Sequence, residues 1–180
     1  LEVIPNDFNC LHHLGLIAKK NEEYLSAIEL ISQAVSINPN SSAAYYNLGN
    51  TLQGLNRIKE AIACYDKAIA IKPDYELYNV RAKAHYELNQ LKECLESYDE
   101  SIKLKPDDFV AYCNRGLALV GLKKTKEGIA SYDKAIQINT NFIDAIYNRG
   151  LALRILRENK ESIKAFKTVI QIEPNHLKSL

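Results

Sequence analysis

The five prolines of this 180-residue chain stand at Pro5, Pro39, Pro73, Pro106 and Pro174. The intervals are 34, 34, 33 and 68 residues, the last being twice 34, and the slot passed over is Thr140. A fixed period of this length marks a chain built of repeated supersecondary units, none of which buries its apolar face alone. It also bears on function. Such chains seldom enclose a catalytic pocket and instead offer an extended surface to a partner.

Aligning the prolines at position 32 of a 34-residue unit brings other residues into line. Position 8 holds Gly15, Gly49, Ala82, Gly116 and Gly150, and position 20 holds Ala27, Ala61, Cys94, Gly128 and Ser162. Position 24 holds Ile31, Tyr65, Tyr98, Tyr132 and Phe166, and position 27 holds Ala34, Ala68, Ser101, Ala135 and Val169. Within a unit, Tyr45, Leu48, Leu52 and Leu55 follow helical spacing, and Ile58, Ala61, Ile62, Tyr65, Ala68 and Ile69 form a second such run. Each unit therefore reads as two helices. Small residues at positions 8 and 20 let the two approach closely, and the residue at position 24 is expected to fill the contact with the next unit. Proline lacks an N–H and clashes with the preceding turn, so it ends the second helix. Pro39-Asn40, Pro73-Asp74, Pro106-Asp107 and Pro174-Asn175 then suit a turn.

The segments Ala44-Tyr45-Tyr46-Asn47-Leu48-Gly49-Asn50, Glu60-Ala61-Ile62, Tyr65-Asp66-Lys67-Ala68-Ile69 and Lys72-Pro73-Asp74 resemble the tetratricopeptide repeat consensus. The resemblance implies an all-α, right-handed α-solenoid, or superhelix, of antiparallel helix-turn-helix hairpins. Residues 1–180 then form one solenoid with repeats at 8–41, 42–75, 76–108, 109–142 and 143–176, and residues 1–7 and 177–180 belong to flanking repeats. Three irregularities carry expectations. Repeat three is one residue short near Asp74 to Glu76. Repeat four ends in Thr140, so its second helix is expected to run on by a residue or two. Gly128 costs that helix about 1 kcal/mol relative to alanine, so the fourth repeat is expected to be the loosest.

Charge is nearly balanced at a formal net +1, which gives no case for nucleic acid or an anionic membrane as partner. No apolar run approaches the ~20 residues of a membrane span, so no membrane insertion is expected. Lys59-Glu60, Lys92-Glu93, Lys126-Glu127 and Lys160-Glu161 recur at one place in each repeat and read as a solvated face. The chain begins mid-repeat and contains no methionine, so it reads as a piece of a longer protein. Ile163, Phe166 and Ile170 on the last helix would then be uncovered, and end-to-end homo-oligomers are expected.

No catalytic constellation is visible. Cys10, Cys64, Cys94 and Cys113 have no C-x-x-C spacing and read as structural thiols in a reducing, cytoplasmic setting. His12 and His13 are adjacent and point to different sides of a helix, His85 occupies a packing position, and His176 lies in a turn, so no metal and no cofactor is expected. Gly15, Gly49, Gly116 and Gly150 are packing glycines rather than a phosphate loop. Arg81, Arg115 and Arg149 share position 7, while Asp66, Asp99 and Asp133 share position 25. These are expected to bridge neighbouring helices, the alternative being an arginine row that reads acidic ligands.

The resemblance further implies that the first helix of each repeat lines a concave groove that binds an extended peptide or protein segment. The residues it places there are Tyr46, Asn47, Asn50, Asn79, Lys83, Tyr86, Asn114, Tyr147, Asn148 and Arg154. An asparagine amide donates to and accepts from a peptide backbone whatever its sequence, and tyrosine adds flat contact area. Asn47, Asn114 and Asn148 share position 6 and resemble the asparagine ladder of O-linked N-acetylglucosamine transferases, interrupted at His13 and Val80. The carboxylate clamp of chaperone-binding repeats is incomplete: Asn47 and Asn50 are present, but Tyr46 and Ala43 stand where lysines are wanted. The function expected is a non-enzymatic interaction scaffold. The alternatives are the substrate-recruiting part of a larger glycosyltransferase and an end-to-end assembly module.

Overall fold

The computed structural model describes residues 7–173, so Pro5, Pro174, His176 and the flanking-repeat segments lie outside the described residues. The described residues form ten helices and no strand. The chain divides into two compact units, residues 1–88 and 89–180. The first holds α1 (Phe8–Lys20), α2 (Tyr24–Ile37), α3 (Ser42–Gly54), α4 (Ile58–Ile71) and α5 (Tyr75–Glu87). The second holds α6 (Leu91–Leu104), α7 (Phe109–Gly121), α8 (Thr125–Ile138), α9 (Ile143–Ile155) and α10 (Asn159–Ile172). Within each unit every helix packs on the next in sequence, as in an α-solenoid. No helix among the described residues is long and apolar enough to cross a membrane.

The small positions do what their spacing predicts. Positions 8, 20 and 27 are buried in all five repeats. The aromatic at position 24 joins the contact with the next unit as expected, Tyr65 clustering with Ala84 and Tyr132 with Ala145 and Ala152, and it also packs within its own hairpin. A Cβ on Gly49 would lie 2.5 Å from Tyr65 Cε1, and one on Gly116 would lie 2.5 Å from Tyr132 Cε1. In these two repeats the ring therefore sits over the glycine of its own hairpin, in the space the missing side chain leaves.

Four of the five first helices start at side-chain caps, the exception being α9 after Phe142. The side chains of Asp7, Ser41, Asp74 and Asp108 each accept a bond from an N–H of the first turn, satisfying donors that the helix itself leaves open. The residue missing from repeat three is lost in this loop: α5 starts two residues after Pro73, whereas α3 starts three after Pro39. Thr140 does not lengthen α8, which ends at Ile138 with the same 14 residues as α4. Asn139 replaces the proline as terminator. Its backbone is extended, and its side-chain oxygen accepts from Asn141 N–H at 3.2 Å, the same Asx turn that Asn38 makes to Asn40. At Gly128 a Cβ would meet Val120 Cγ2 at 2.7 Å and the Gly116 carbonyl at 3.1 Å, so the glycine permits close α7–α8 packing.

The turn inside each repeat depends on one left-handed residue: Glu22, Asn56, Asn89, Lys123 and Arg157 have φ of 56–65°. At Lys123 the backbone closes α7 as a Schellman motif, with Lys123 N–H donating to Val120 O and Lys124 N–H to Leu119 O, both at 2.9 Å. Asparagine tolerates this conformation, but a lysine Cβ is strained in it. Lys123 is exposed, so nothing else holds it there. Lys123→Gly is expected to raise stability by about 0.5–1 kcal/mol, and Lys123→Val to lower it, read from urea-unfolding midpoints.

The arginine row is paired. Arg81 Nη1 donates to Asp66 at 2.9 Å in the first unit. In the second, Arg115 Nε donates to Asp99 at 2.6 Å and its Nη1 to the Ser131 hydroxyl at 2.7 Å, while Arg149 Nε bonds Asp133. Each arginine–aspartate bond runs from the first helix of one repeat back to the second helix of the repeat before, whereas Ser131 lies on the second helix of Arg115's own repeat. The recurrent Lys-Glu pairs are all exposed.

Candidate functional site

In the first unit, α3 carries Tyr46, Asn47 and Asn50, and α5 carries Asn79, Lys83 and Tyr86. Asn47 is half-buried, and its Nδ2 lies 3.0 Å from His12 Nε2 on α1. An amide nitrogen only donates, so Nε2 is the unprotonated ring nitrogen and the imidazole is neutral. Burial first, and the neighbouring His13 second, hold His12 below its ordinary value of 6.5. The unfolded chain therefore takes up this proton more readily than the folded one. The stabilising contribution is complete above the unfolded value near 6.5 and is lost as pH falls through the lower folded value. Moving from about pH 7.5 to about pH 5 is expected to lower the urea midpoint, and His12→Gln is expected to reduce that drop.

Asn50 is engaged from the second helix of its own repeat. The Tyr65 hydroxyl lies 2.8 Å from both Asn50 Oδ1 and Gln53 Oε1, and with one proton it donates to one at a time. Gln53 in turn donates to Glu87 at 2.8 Å, which ties α3 to the end of α5. Burial pushes the Tyr65 hydroxyl up, so it remains protonated and able to donate. Tyr46 is half-buried beside the Tyr65 ring, 6.5 Å between centroids. It also lines a cleft of about 260 Å³ with Ser42, Lys72, Asp74 and Leu77, where α3 meets α5. Asn79 is half-buried, whereas Lys83 and Tyr86 are exposed.

In the second unit, Asn114 on α7 and Asn148 on α9 keep the same register one repeat apart. Asn114 bonds the side chain of Tyr98 on α6. Asn148 Nδ2 points to Cys113 Sγ at 3.9 Å. Burial raises the Cys113 thiol to about 11, with the Asn148 bond opposing, so it is an uncharged packing group at neutral pH. Tyr147 stacks at a tilt on Phe166, 5.6 Å between centroids, and Arg154 is exposed on the last turn of α9.

The three ladder asparagines thus each touch the repeat before them. Two of the partners, His12 and Cys113, stand at position 5, and both contacts span 35 residues, one repeat plus one. The family resemblance marked Tyr46, Asn79 and Tyr147 at position 5 as groove-lining but did not mark that position as the anchor of the next asparagine. A polar or sulfur-bearing side chain 35 residues ahead of each asparagine was the available signal. The tyrosine hydroxyls of α4 and α6 were missed for another reason. Position 24 looks purely apolar in a sequence, yet its hydroxyl reaches the first-helix residues.

Comparison with known proteins agrees with this fold. A 62-residue segment is 39% identical to the peroxisomal targeting signal receptor of Kluyveromyces lactis, covering 34% of this chain and 11% of that protein. A 75-residue segment is 33% identical to the human superkiller complex protein 3, covering 42% of this chain and 5% of that protein. The matched segments are thus a small part of these relatives. The fold matches the crystal structure of MamA with a TM-score of 0.88 at 22% identity, over 95% of this chain and 94% of that one. It also matches YrrB, described as a TPR protein with an unusual peptide-binding site, with a TM-score of 0.82 at 20% identity, over 96% and 89%. One tetratricopeptide repeat profile matches residues 42–75, and a TPR repeat profile matches residues 82–123. A further tetratricopeptide repeat profile matches residues 8–41, 110–142 and 143–176, more than half of the chain, which therefore belongs to the tetratricopeptide repeat family.

Proposed function

We propose that the first-helix faces of each unit hold an extended peptide or protein segment, with Asn47 reading its backbone in the first unit and Asn114 and Asn148 in the second. Repeats of this family generally serve as protein-interaction scaffolds, which sets the class. The observation that carries the finer reading is the anchoring of the three amides. Asn47 is held by His12, Asn114 by Tyr98 and Asn148 by Cys113. In Asn47 and Asn148 the Nδ2 is engaged within the protein, which leaves the carboxamide oxygen to accept an N–H from a ligand. An amide fixed beforehand loses less conformational entropy on binding than a free one. Tyr46 and Tyr147 flank the strip in their respective units, and Asn50, Asn79, Lys83, Tyr86 and Arg154 complete the set. YrrB, with its peptide-binding site on the same fold, supports the reading by likeness.

The test is a displayed library of unstructured peptides selected against the whole chain, followed by anisotropy titration. Each net hydrogen bond contributes about 0.5–1.5 kcal/mol, so losing two weakens binding by about fivefold to 150-fold. Asn114→Ala/Asn148→Ala is the variant for the second unit and Asn47→Ala for the first, each with its circular dichroism melt as a folding control. Selected peptides that bind both variants as tightly as the parent would overturn the reading.

A further inference from the structure

The two units build one junction differently. In the second, α7 starts at Phe109 and the cap residue of α9 is Phe142. Their rings meet edge to face, 4.9 Å between centroids, and pack on the cluster of Cys113, Ala145 and Ala152. In the first unit, α3 starts at Ser42 and the cap residue of α5 is Asp74, the loop before α5 being one residue short. Neither slot holds a ring. The Ser42 hydroxyl instead donates to the Ala68 carbonyl at 2.9 Å. Where the phenylalanines fill the α7–α9 junction, the α3–α5 junction has a cleft of about 260 Å³ walled by Ala43, Tyr46 and Leu77. Tyr46 stands at position 5, as Cys113 does. A cavity of about 150 Å³ already admits benzene, so this one has room for a ring.

Charge narrows the occupant further. The rim carries Lys72, Asp74 and Glu76, two carboxylates against one ammonium. Both carboxylates are held at the mouth: Asp74 accepts from the Glu76 N–H at 2.9 Å, and Glu76 accepts from the Tyr75 hydroxyl at 2.9 Å. Carboxylates suit the positive edge of an aromatic ring. They also favour a basic residue beside it and oppose an acidic one.

We propose that this cleft takes one phenylalanine or tyrosine side chain, next to a basic residue, from the extended segment held on the first-helix face. The assignment rests on the peptide-binding reading above and deepens it. Tyr46 and Asn50 stand four apart on α3 and so share a face, and Asn47 follows Tyr46. A segment whose backbone meets Asn47 therefore passes beside the cleft and can lower a side chain into it. The incoming ring does at α3–α5 what Phe109 does at α7–α9.

The first probe is p-cresol, the tyrosine side chain without its backbone, titrated into the whole isotope-labelled chain and read by amide NMR shifts. The amides of Ala43, Tyr46 and Leu77 are expected to move with a dissociation constant on the order of millimolar, the scale for so small a ligand. Ser42→Phe supplies the ring that the second unit has, and is expected to hold or raise the melting temperature and to weaken p-cresol binding more than about tenfold. Ala43→Trp, at an exposed position, blocks the same cleft should Ser42→Phe fold poorly. The second probe is the set of peptides selected on the parent. Replacing their ring by alanine is expected to weaken binding to the parent about tenfold or more, and binding to Ser42→Phe by less than about twofold. Exchanging the basic neighbour for glutamate is expected to cost about two- to fivefold. p-Cresol that leaves the three amides unmoved, or that binds both blocked variants as well as the parent, overturns the proposal. Peptides that need Asn47 but not a ring would overturn it and keep the backbone reading, whereas p-cresol seated in the cleft with peptides indifferent to Asn47→Ala would keep the cleft and remove that reading.

Discussion

Tyr132→Ala is expected to destabilise the chain by about 3–5 kcal/mol, the range for removing a fully buried ring. Tyr132 is 1% exposed and belongs to a cluster with Cys113, Ala135, Ala145 and Ala152. Its ring lies where the Gly116 side chain would be, so truncation leaves a cavity against a glycine, which has no atoms to relax into it. Native domains are stable by only about 5–15 kcal/mol, so the loss is a large share of the total. In a stack held by nearest-neighbour contacts the damage should begin locally, in α7 and α8 and the helices they touch. Urea unfolding gives the magnitude, and amide exchange tests the location, with protection lost first in the fourth hairpin. Tyr132→Phe is the control. Phe166 fills this slot in the fifth repeat, so the ring alone packs it and the cost should stay near the worth of one hydroxyl, about 1 kcal/mol. A Tyr132→Ala variant that unfolds within 1 kcal/mol of the parent, on that scale, would mean the ring is not what joins α7 to α8.

That ring illustrates which parts of the fold a sequence displays. Its slot, its burial and its place on the second helix follow from one residue recurring at a fixed period. Its partner does not, because a period gives the spacing of side chains along a helix and not the angle at which two helices cross. Positions 8 and 24 recur together whether or not the ring also covers its own glycine, and only the structure shows that it meets both that glycine and the next repeat. The same limit applies to the intra-repeat turn. Glycine would have announced the left-handed residue, but Glu22, Lys123 and Arg157 hold it, so the backbone state was invisible in composition. At Thr140 the absent proline was conspicuous and the Asn139 Asx turn was not, since a turn made by a side chain on its own backbone leaves no periodic trace.

The candidate site divides along the same line. The ten candidate residues came from the family resemblance, and the structure puts all ten on first helices, as their register requires. The pairing of arginines with aspartates was readable too, since opposite charges recur at two fixed positions. What fixes each ladder amide was not. His12 and Cys113 share a position but no chemistry, and a rule that spans 35 residues while changing residue type each time resembles no motif. Side-chain anchoring is a matter of geometry across repeats, where the sequence supplies only a list of candidates.

Gly116→Val is the other large effect, expected to cost about 3 kcal/mol, at the upper end of the overpacking range. A Cβ on Gly116 would stand 2.5 Å from Tyr132 Cε1 and 2.8 Å from Cδ1, well inside contact distance. The ring cannot swing into water because it is buried, so the clash must be relieved by parting α7 from α8. Valine adds two methyls beyond the Cβ and is a poorer helix former than alanine, so little propensity gain offsets the strain. Gly116→Ala should be milder. It gains about 1 kcal/mol of propensity against the same first clash, and Ala82 is accommodated at this position in the third repeat. The decisive measurement joins this substitution to the first. If glycine and ring are two halves of one contact, Gly116→Val in the Tyr132→Ala background should cost little or even stabilise, because the valine then enters the space the ring has left. The two single changes would together predict a loss of about 6–8 kcal/mol, and the double variant should fall short of that by about 2–3 kcal/mol, the coupling expected of directly touching residues. Additive losses within about 0.5 kcal/mol would show that the two act separately and that the hole over Gly116 is not what the ring fills.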